Sequence, residues 1–382
     1  MQQERIVSVD AVRAVFILLG VVYHAAQPYE SHAWIISDPA YSPVLAGIAF
    51  ALHEFRMPGF FMLSGFLAAL AYRKYGARTL LTRRLVRLGV PLLFGLLTIV
   101  PLQNALTAWL QHVQCSPGQP CGVRVSHGFA VSHLWFLAYL LLFVAALPAT
   151  FELLRRAQRI FARHAHAPRI LVQLHAASWL APALLGLSVL AGCVAILHGI
   201  AHFAHGLYRE WLGFFIPYDA LRLFGWFALG IGCAVSAMQA NAWFHERPAR
   251  SASVVSIVLG LLVCVAVARQ FTEVAGSLLN VVAEAAVTFG AGMLLFGGMH
   301  LFGDLYEAAP ALFARLSDAS YTIYLVHHPI VIGLAGAMLG LRWSPHVKFT
   351  VIVVLTSALS WWFHEGVVRR VPWLRFALNG TW

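Results

Sequence analysis

Long runs of apolar residues constrain this chain more than any other feature of its sequence. A helix needs about 20 apolar residues to cross a bilayer, and the chain has room for about ten such runs. Charged residues are only 11% of its 382 residues, against about 25% in soluble domains. We predict an all-α polytopic membrane protein with one integral-membrane domain, residues 1–382. Its spans are predicted at residues 11–28, 44–72, 87–110, 133–151, 171–198, 219–239, 252–269, 278–302, 319–340 and 347–367.

The basic residues indicate how these spans are oriented. With the N-terminus inside, 18 lysine and arginine residues fall in cytoplasmic segments and five in outer segments. Cytoplasmic loops of membrane proteins carry such an excess, so both termini are predicted to be cytoplasmic. The net charge of +11 is then an orientation signal, and we expect no nucleic-acid partner.

Cys115 and Cys121 bracket the sequence SPGQP in a predicted outer loop. An oxidising compartment favours a small disulfide there, although the sequence leaves the pairing open. The other cysteines lie in apolar runs and are expected to be packed thiols. The histidines are scattered over different spans, so no metal site is predicted.

The stretch VDAVRAVFILLGVVYHAAQPYE places three ionisable residues on the first span, Asp10, Arg13 and His24. Eleven helical residues make about three turns, so Arg13 and His24 share a face and lie roughly 16 Å apart. Such residues are costly in lipid and normally face a protein interior or a wet cavity, where they mark function. The alternative is a single-pass anchor whose polar side chains only reach the interface.

The second span, which reads HEFRMPGFFMLSGFL, brings His53, Glu54 and Arg56 to a similar depth. Glu54 or His53 could orient His24, because a histidine base needs a partner on its other nitrogen. A local ion pair that neutralises Arg56 is the competing interpretation.

The next basic segment, RTLLTRRLVRLGVP, carries Arg83, Arg84 and Arg87. Arg84 and Arg87 are three residues apart and share a helix face, and guanidinium groups suit bidentate contacts with phosphate. A cytoplasmic flank that only sets orientation would explain the same residues.

Two later spans add further polar groups. The fourth begins SHLWFLAYLLLF, with His133, Trp135 and Tyr139, and the ninth contains SYTIYLVHHPIVI, with His327 before a proline. That proline frees backbone carbonyls, which nearby polar groups can satisfy. A structural kink and a catalytic histidine pair both remain open.

Together these motifs resemble the membrane acyltransferase 3 family, and within it the branch that modifies glucans. The matching pieces are D-x-x-R-x10-H at 10–24, FRMPGFFMLSGFL at 55–67, RRLVRLGVP at 83–91, HLWFLAYLL at 133–141 and SYTIYLVHHPIVI at 320–332. The resemblance implies a ten-helix enzyme of the bacterial inner membrane. It would transfer an acyl group, succinyl or acetyl, from cytoplasmic acyl-CoA to a hydroxyl of a periplasmic glucan or other glycan.

The resemblance also implies roles for residues. His24 would be the catalytic base, and the donor would be held by Arg13 together with Arg84 and Arg87. From the residues themselves we add Glu54 as a catalytic partner of His24 and Arg83 as a fourth donor-binding arginine. Substrate contacts are expected at Asp10, His53, Arg56, His133, Trp135, Tyr139 and His327. Acyl-CoA would be a co-substrate, with no permanently bound cofactor.

The rival hypothesis is a secondary transporter or flippase, in which the same midplane residues would bind solute and protons. Direct transfer and an acyl-histidine intermediate both fit the sequence, as do a monomer and a homo-oligomer.

Overall fold

The computed structural model describes residues 7–30, 34–115, 121–124, 131–164, 180–240, 257–258, 260 and 278–381. This part of the chain is helical, with two isolated antiparallel bridges and no strand. The main helices are α1 (Val7–Ala26), α2 (Pro43–Arg84), α3 (Val90–Leu97), α4 (Ile99–Gln114), α5 (Trp135–His164), α6 (Leu180–Phe203), α7 (Pro217–Ala240), α8 (Leu278–Ala308), α9 (Pro310–Met338), α10 (Pro345–Phe363) and α11 (Pro372–Asn379). The predicted all-α class is confirmed.

Six helical stretches of the described residues are long and apolar enough to cross a membrane, as expected for a multi-pass membrane protein. Two shorter apolar helices, Val15–Tyr29 and Asn280–Leu295, accompany them. Most of the predicted span 252–269 lies outside the described residues. The count of about ten spans and the cytoplasmic termini therefore stay predictions.

Serine and proline mark where two of these helices begin. Ser42 and Ser344 each accept a hydrogen bond from the backbone N–H three residues further on, at 3.4 Å. Pro43 and Pro345 follow them at the first helical position. A hydroxyl cap satisfies one of the free N–H groups of a helix start, and proline has no N–H to satisfy there.

The helical stretch Pro43–Gln114 doubles back on itself. Gly76 interrupts α2 with φ 76° and ψ 171°, a conformation that glycine adopts without strain. The loops before α2 and after α4 then meet, because Ser37 N donates to Gly122 O at 2.7 Å and Arg124 N donates to Ile35 O at 2.9 Å. The stretch thus begins and ends at the same end of the helix bundle.

This arrangement defines two ends of the bundle. The disulfide end contains the bond between Cys115 and Cys121, so the pairing that the sequence leaves open is present. The basic end contains the π-helical turn Leu85–Gly89, with Arg84 just before it and Arg87 within it.

Two glycines bring α2 and α7 into close contact. A Cβ on Gly65 would lie 2.9 Å from the carbonyl carbon of Phe227, and one on Gly230 would lie 2.8 Å from that of Met62. Small residues let helix backbones approach in this way, which is how helices in a membrane gain packing energy.

The C-terminal segment supports the basic end. Gly380 follows α11 with φ 62°, and a Cβ there would lie 2.5 Å from Cα of Arg87. Thr322 donates to Asn379 Oδ1 at 3.0 Å and accepts from His364 Nδ1 at 2.9 Å. This buried network ties the last helix to α9 beside the arginine turn.

Candidate active site

His24 lies near the end of α1, inside the helix bundle and not on its outer surface. Its Nδ1 is 2.6 Å from the side-chain oxygen of Gln27. An amide oxygen only accepts, so Nδ1 carries the proton and Nε2 is the free, basic nitrogen. The sequence predicted Glu54 or His53 as the orienting partner, and the structure instead places Gln27 there.

Three other imidazoles surround His24, from spans that are far apart in sequence. Its ring centroid lies 5.2 Å from that of His327 and 4.7 Å from that of His328. His133 stacks on His328 with centroids 4.6 Å apart. We call these four residues the histidine cluster.

Pro329 explains the position of His133. A proline has no N–H to donate to the carbonyl four residues earlier, which here belongs to Leu325. His133 Nε2 donates to that carbonyl at 3.0 Å. Pro329 lies inside the continuous helix α9, and the carbonyl that it leaves without a backbone donor is satisfied by His133. Whether the histidines before Pro329 form a catalytic pair stays a prediction.

Hydrogen bonds to backbone and side-chain oxygens also determine which nitrogens of the histidine cluster are free. His327 Nδ1 donates to Tyr324 O at 2.7 Å, and His328 Nδ1 donates to Gln103 Oε1 at 2.7 Å. His133 Nδ1 and His327 Nε2 are buried and have no hydrogen-bond partner among the described residues. Each is an acceptor, because the other ring nitrogen of that histidine donates.

A cavity of about 240 Å³ extends from His327, one member of the histidine cluster, toward the basic end. Arg84 and Arg87 lie at one end of its lining, and Arg56 and His327 lie at the other. The walls between them are mainly apolar and aromatic and include Phe60, Leu63, Phe136, Tyr321 and Tyr324. The cavity therefore links the arginines of the basic end to Arg56 and His327.

Arg56 is the charged group closest to the histidine cluster on the cavity wall. Its side chain is buried, with the guanidinium carbon 5.0 Å from the centre of the Tyr23 ring. A Cβ on Gly20 would lie only 2.9 Å from its NH1, so glycine makes room for the guanidinium.

Glu54 and His53 have different neighbours from those predicted. Glu54 pairs with Arg222 of α7 at 3.2 Å and does not neutralise Arg56. His53 Nδ1 accepts from Tyr23 OH at 3.3 Å, and Tyr23 accepts from the Gln27 amide at 3.2 Å. His53 therefore reaches His24 only through two intermediate side chains.

The other predicted site residues divide into two groups. Tyr139 is buried and holds the loop before α7, accepting from Ile216 N at 2.9 Å, and Trp135 packs edge-on against it at 5.2 Å. Arg83 stacks on Tyr75 at 4.6 Å, on an exposed surface, and is not part of the cavity wall.

Asp10 and Arg13 lie on α1, but their side chains fall outside the described residues. No group of three or more histidine, cysteine, aspartate or glutamate side chains in the described part of the chain is arranged to hold a metal ion.

Sequence reasoning missed Gln27, Gln103 and Trp34. The Trp34 ring stacks on His24 at 6.3 Å and meets His328 edge-on at 5.7 Å. It covers the histidine cluster from the disulfide end.

Glu30 follows the end of α1 and is partly buried. This burial raises the pKa of its carboxyl group to about 7.

Comparison with known proteins shows which family the chain belongs to. The acyltransferase 3 family, described as an acyltransferase domain, matches residues 6–365. The chain belongs to this family. It is therefore an acyltransferase, and the match favours an enzyme over the transporter or flippase that the sequence alone left open.

Curated relatives agree with this assignment. The chain is 23% identical to glucans biosynthesis protein C of Salmonella typhi over 392 residues, which cover 97% of this chain and 94% of the relative. It is 23% identical to the protein of the same name from Escherichia coli K12 over 401 residues, covering 97% and 93%. No solved structure matches the chain.

Proposed function

We propose that this acyltransferase takes an acyl group from acyl-CoA on the cytoplasmic side and delivers it to a sugar hydroxyl on the far side. Succinyl is the first candidate for the acyl group and acetyl the second. The acceptor is a periplasmic glucan or another extracytoplasmic glycan, as the name of the relatives suggests. The membrane is the bacterial inner membrane, with both chain termini in the cytoplasm.

One observation carries this proposal, namely the cavity that joins Arg84 and Arg87 to the histidine cluster. Arginine at a rim can hold the phosphates of CoA through charge-assisted hydrogen bonds. Arg13 stands eleven residues before His24 on α1, a rise of about 16 Å. The pantetheine arm extends through the apolar part of the cavity and brings the thioester to His24.

His24 Nε2 then acts on the acceptor hydroxyl. It removes the hydroxyl proton while the sugar oxygen attacks the thioester carbonyl carbon. The tetrahedral intermediate collapses as the C–S bond breaks, and the proton on His24 passes to the thiolate sulfur. The products are an O-acyl sugar and free CoA, and His24 returns to its starting state.

The acceptor enters from the disulfide end, where Trp34 lies over His24. An aromatic ring beside a catalytic base provides a surface for the apolar face of a sugar. Gln27 keeps the reactive nitrogen of His24 unprotonated through its bond to Nδ1.

The test uses protein in nanodiscs with radiolabelled succinyl-CoA and a linear glucan. We expect His24→Ala to lower kcat by about 10³-fold, within the range for loss of a general base. Arg84→Ala and Arg87→Ala should each raise the KM for the donor about tenfold or more. Arg78→Ala is the matched control, because it removes an exposed arginine of α2 that does not line the cavity.

Unchanged turnover by a folded His24→Ala variant would refute the role of His24. Equal effects of Arg78→Ala and Arg84→Ala would show that general surface charge, and not the cavity rim, attracts the donor. Acid quenching during turnover separates the two chemical routes, because label retained on His24 would indicate an acyl-histidine intermediate.

A further inference from the structure

Arg56 is a buried positive charge without a negative partner among the described residues. Its residue is 7% exposed, and its Nε has no hydrogen-bond partner among the described residues. The ion pairs in this part of the chain include none with Arg56, whose guanidinium lies against the Tyr23 ring. Burying an unpaired charge is costly, and in a membrane protein it marks a binding site by default.

A second buried arginine shows that the fold can neutralise such a charge. Arg222 has a side chain 13% exposed, and Glu54 pairs with it at 3.2 Å. Arg56 lies two residues after Glu54 on the same helix and receives no such partner. The contrast indicates that the anion for Arg56 comes from outside the chain.

The position of Arg56 limits which anion this can be. It lines the cavity beside His327, at the end away from Arg84 and Arg87. The CoA phosphates belong to that distant basic end under the proposed function. The anion at Arg56 must then be part of the donor close to its thioester. The cavity wall beside Arg56, which includes Met57 and Phe60, is apolar.

We infer that Arg56 binds the distal carboxylate of a dicarboxylic acyl group and so selects succinyl-type donors over neutral ones. This inference rests on the proposed function and specifies its donor. Gly20, which contacts the guanidinium, lies one turn before His24, a rise of about 6 Å. The terminal carbons of a four-carbon acyl chain are about 4 Å apart. The carboxylate can therefore contact Arg56 while the thioester carbon contacts His24.

The experiment compares succinyl-CoA with butyryl-CoA, which has the same chain length and a methyl group in place of the carboxylate. The measured quantity is the ratio of the two kcat/KM values. In Arg56→Gln we expect this ratio to fall about 30-fold or more, as for loss of one partner of a buried charge pair. Transfer of butyryl should persist. Arg56→Lys should keep part of the preference, because it keeps the charge without the guanidinium fork.

Arg222→Gln is the matched control. It also removes a buried arginine, but one whose partner is Glu54, and its succinyl-to-butyryl ratio should equal that of the wild type. If Arg56→Gln does not fold, Gly20→Ala tests the same point, because its Cβ would displace the guanidinium. The ratio should fall in that variant too.

Two outcomes would overturn the inference. An equal loss with both donors would show that Arg56 serves a step common to all acyl groups, such as stabilising the oxyanion. An unchanged ratio would show that Arg56 does not contact the acyl group. If the wild type transfers nothing from CoA, the proposed function fails separately. Competition of succinyl-CoA and butyryl-CoA for binding to wild type and Arg56→Gln then decides the inference, and equal or absent binding refutes it.

Discussion

Replacing Gly230 with alanine should separate α2 from α7 and destabilise the protein. The added Cβ would lie 2.8 Å from the Met62 carbonyl carbon and 2.9 Å from Phe66 N. Non-bonded carbon atoms prefer about 3.5–4.0 Å, so the helices must move apart by roughly 1 Å. The obstructing atoms are backbone, which cannot rotate away as a side chain can. We expect a cost of about 3 kcal/mol, at the upper end for overpacking.

Gly232 provides the control on the same helix. A Cβ there meets nothing within 4 Å, and alanine is favoured over glycine in helices by about 0.5–1 kcal/mol. We measure the midpoint of thermal unfolding by fluorescence-detected size exclusion after heating, in one detergent at one concentration. The midpoint of Gly230→Ala should be about 5 °C or more below that of the wild type. Gly232→Ala should match or exceed the wild type.

Similar midpoints for the two variants would refute the reasoning, because the contact at Gly230 would then carry no packing energy. Gly65 permits a second check, since it makes the reciprocal contact with Phe227. A single movement of α2 away from α7 makes room for both new methyl groups. The double variant Gly65→Ala with Gly230→Ala should therefore lose less than the two single losses together.

Three further predictions concern the disulfide end of the bundle. Gln27→Leu should lower kcat about tenfold and leave the donor KM unchanged, because the tautomer of His24 is no longer held by a hydrogen bond; an altered KM alone would contradict this. Burial raises the Glu30 pKa from 4.5 to about 7, so ionisation costs stability as pH rises through that window. The free energy of unfolding of Glu30→Gln should thus equal that of the wild type at pH 4. At pH 8 it should exceed that of the wild type by less than about 2 kcal/mol after screening, measured by thermal unfolding. Lys348 and Asp38 form a buried ion pair at 2.6 Å. Lys348→Met should therefore lower the free energy of unfolding by about 3–5 kcal/mol, because it leaves the Asp38 charge buried and unpaired. In a double-mutant cycle measured by thermal unfolding, adding Asp38→Asn should recover part of that loss.

Much of the architecture follows directly from the order of residues. Long apolar runs form helices wherever backbone groups cannot bond to water, so hydropathy alone indicated the class. Proline at helix starts and a glycine at the turn after residue 75 act locally, over a few residues. The family motifs likewise single out His24, Arg84 and Arg87 from the sequence alone, because each motif is read within a short stretch of chain; their roles stay predictions.

The partners of these residues were decided by tertiary structure. Nothing near His24 in sequence shows that His133 and His328 approach it, since they come from helices more than a hundred residues away. Glu54 looked like the partner of Arg56, two positions on, yet such neighbours point to different sides of a helix. The helix that packs opposite, α7, supplies Arg222 and takes the carboxylate.

The unbalanced charge on Arg56 shows the limit of the sequence most clearly. The sequence places Glu54 two residues before Arg56 in the second span, so a neutral pair is the simplest expectation. Whether a charge is compensated depends on directions in space, which helix packing sets. The apolar pattern thus determined that the chain would form a membrane helix bundle. Only the packing of its helices left Arg56 on the cavity wall with no carboxylate partner among the described residues, because charge balance is a property of contacts and not of sequence position.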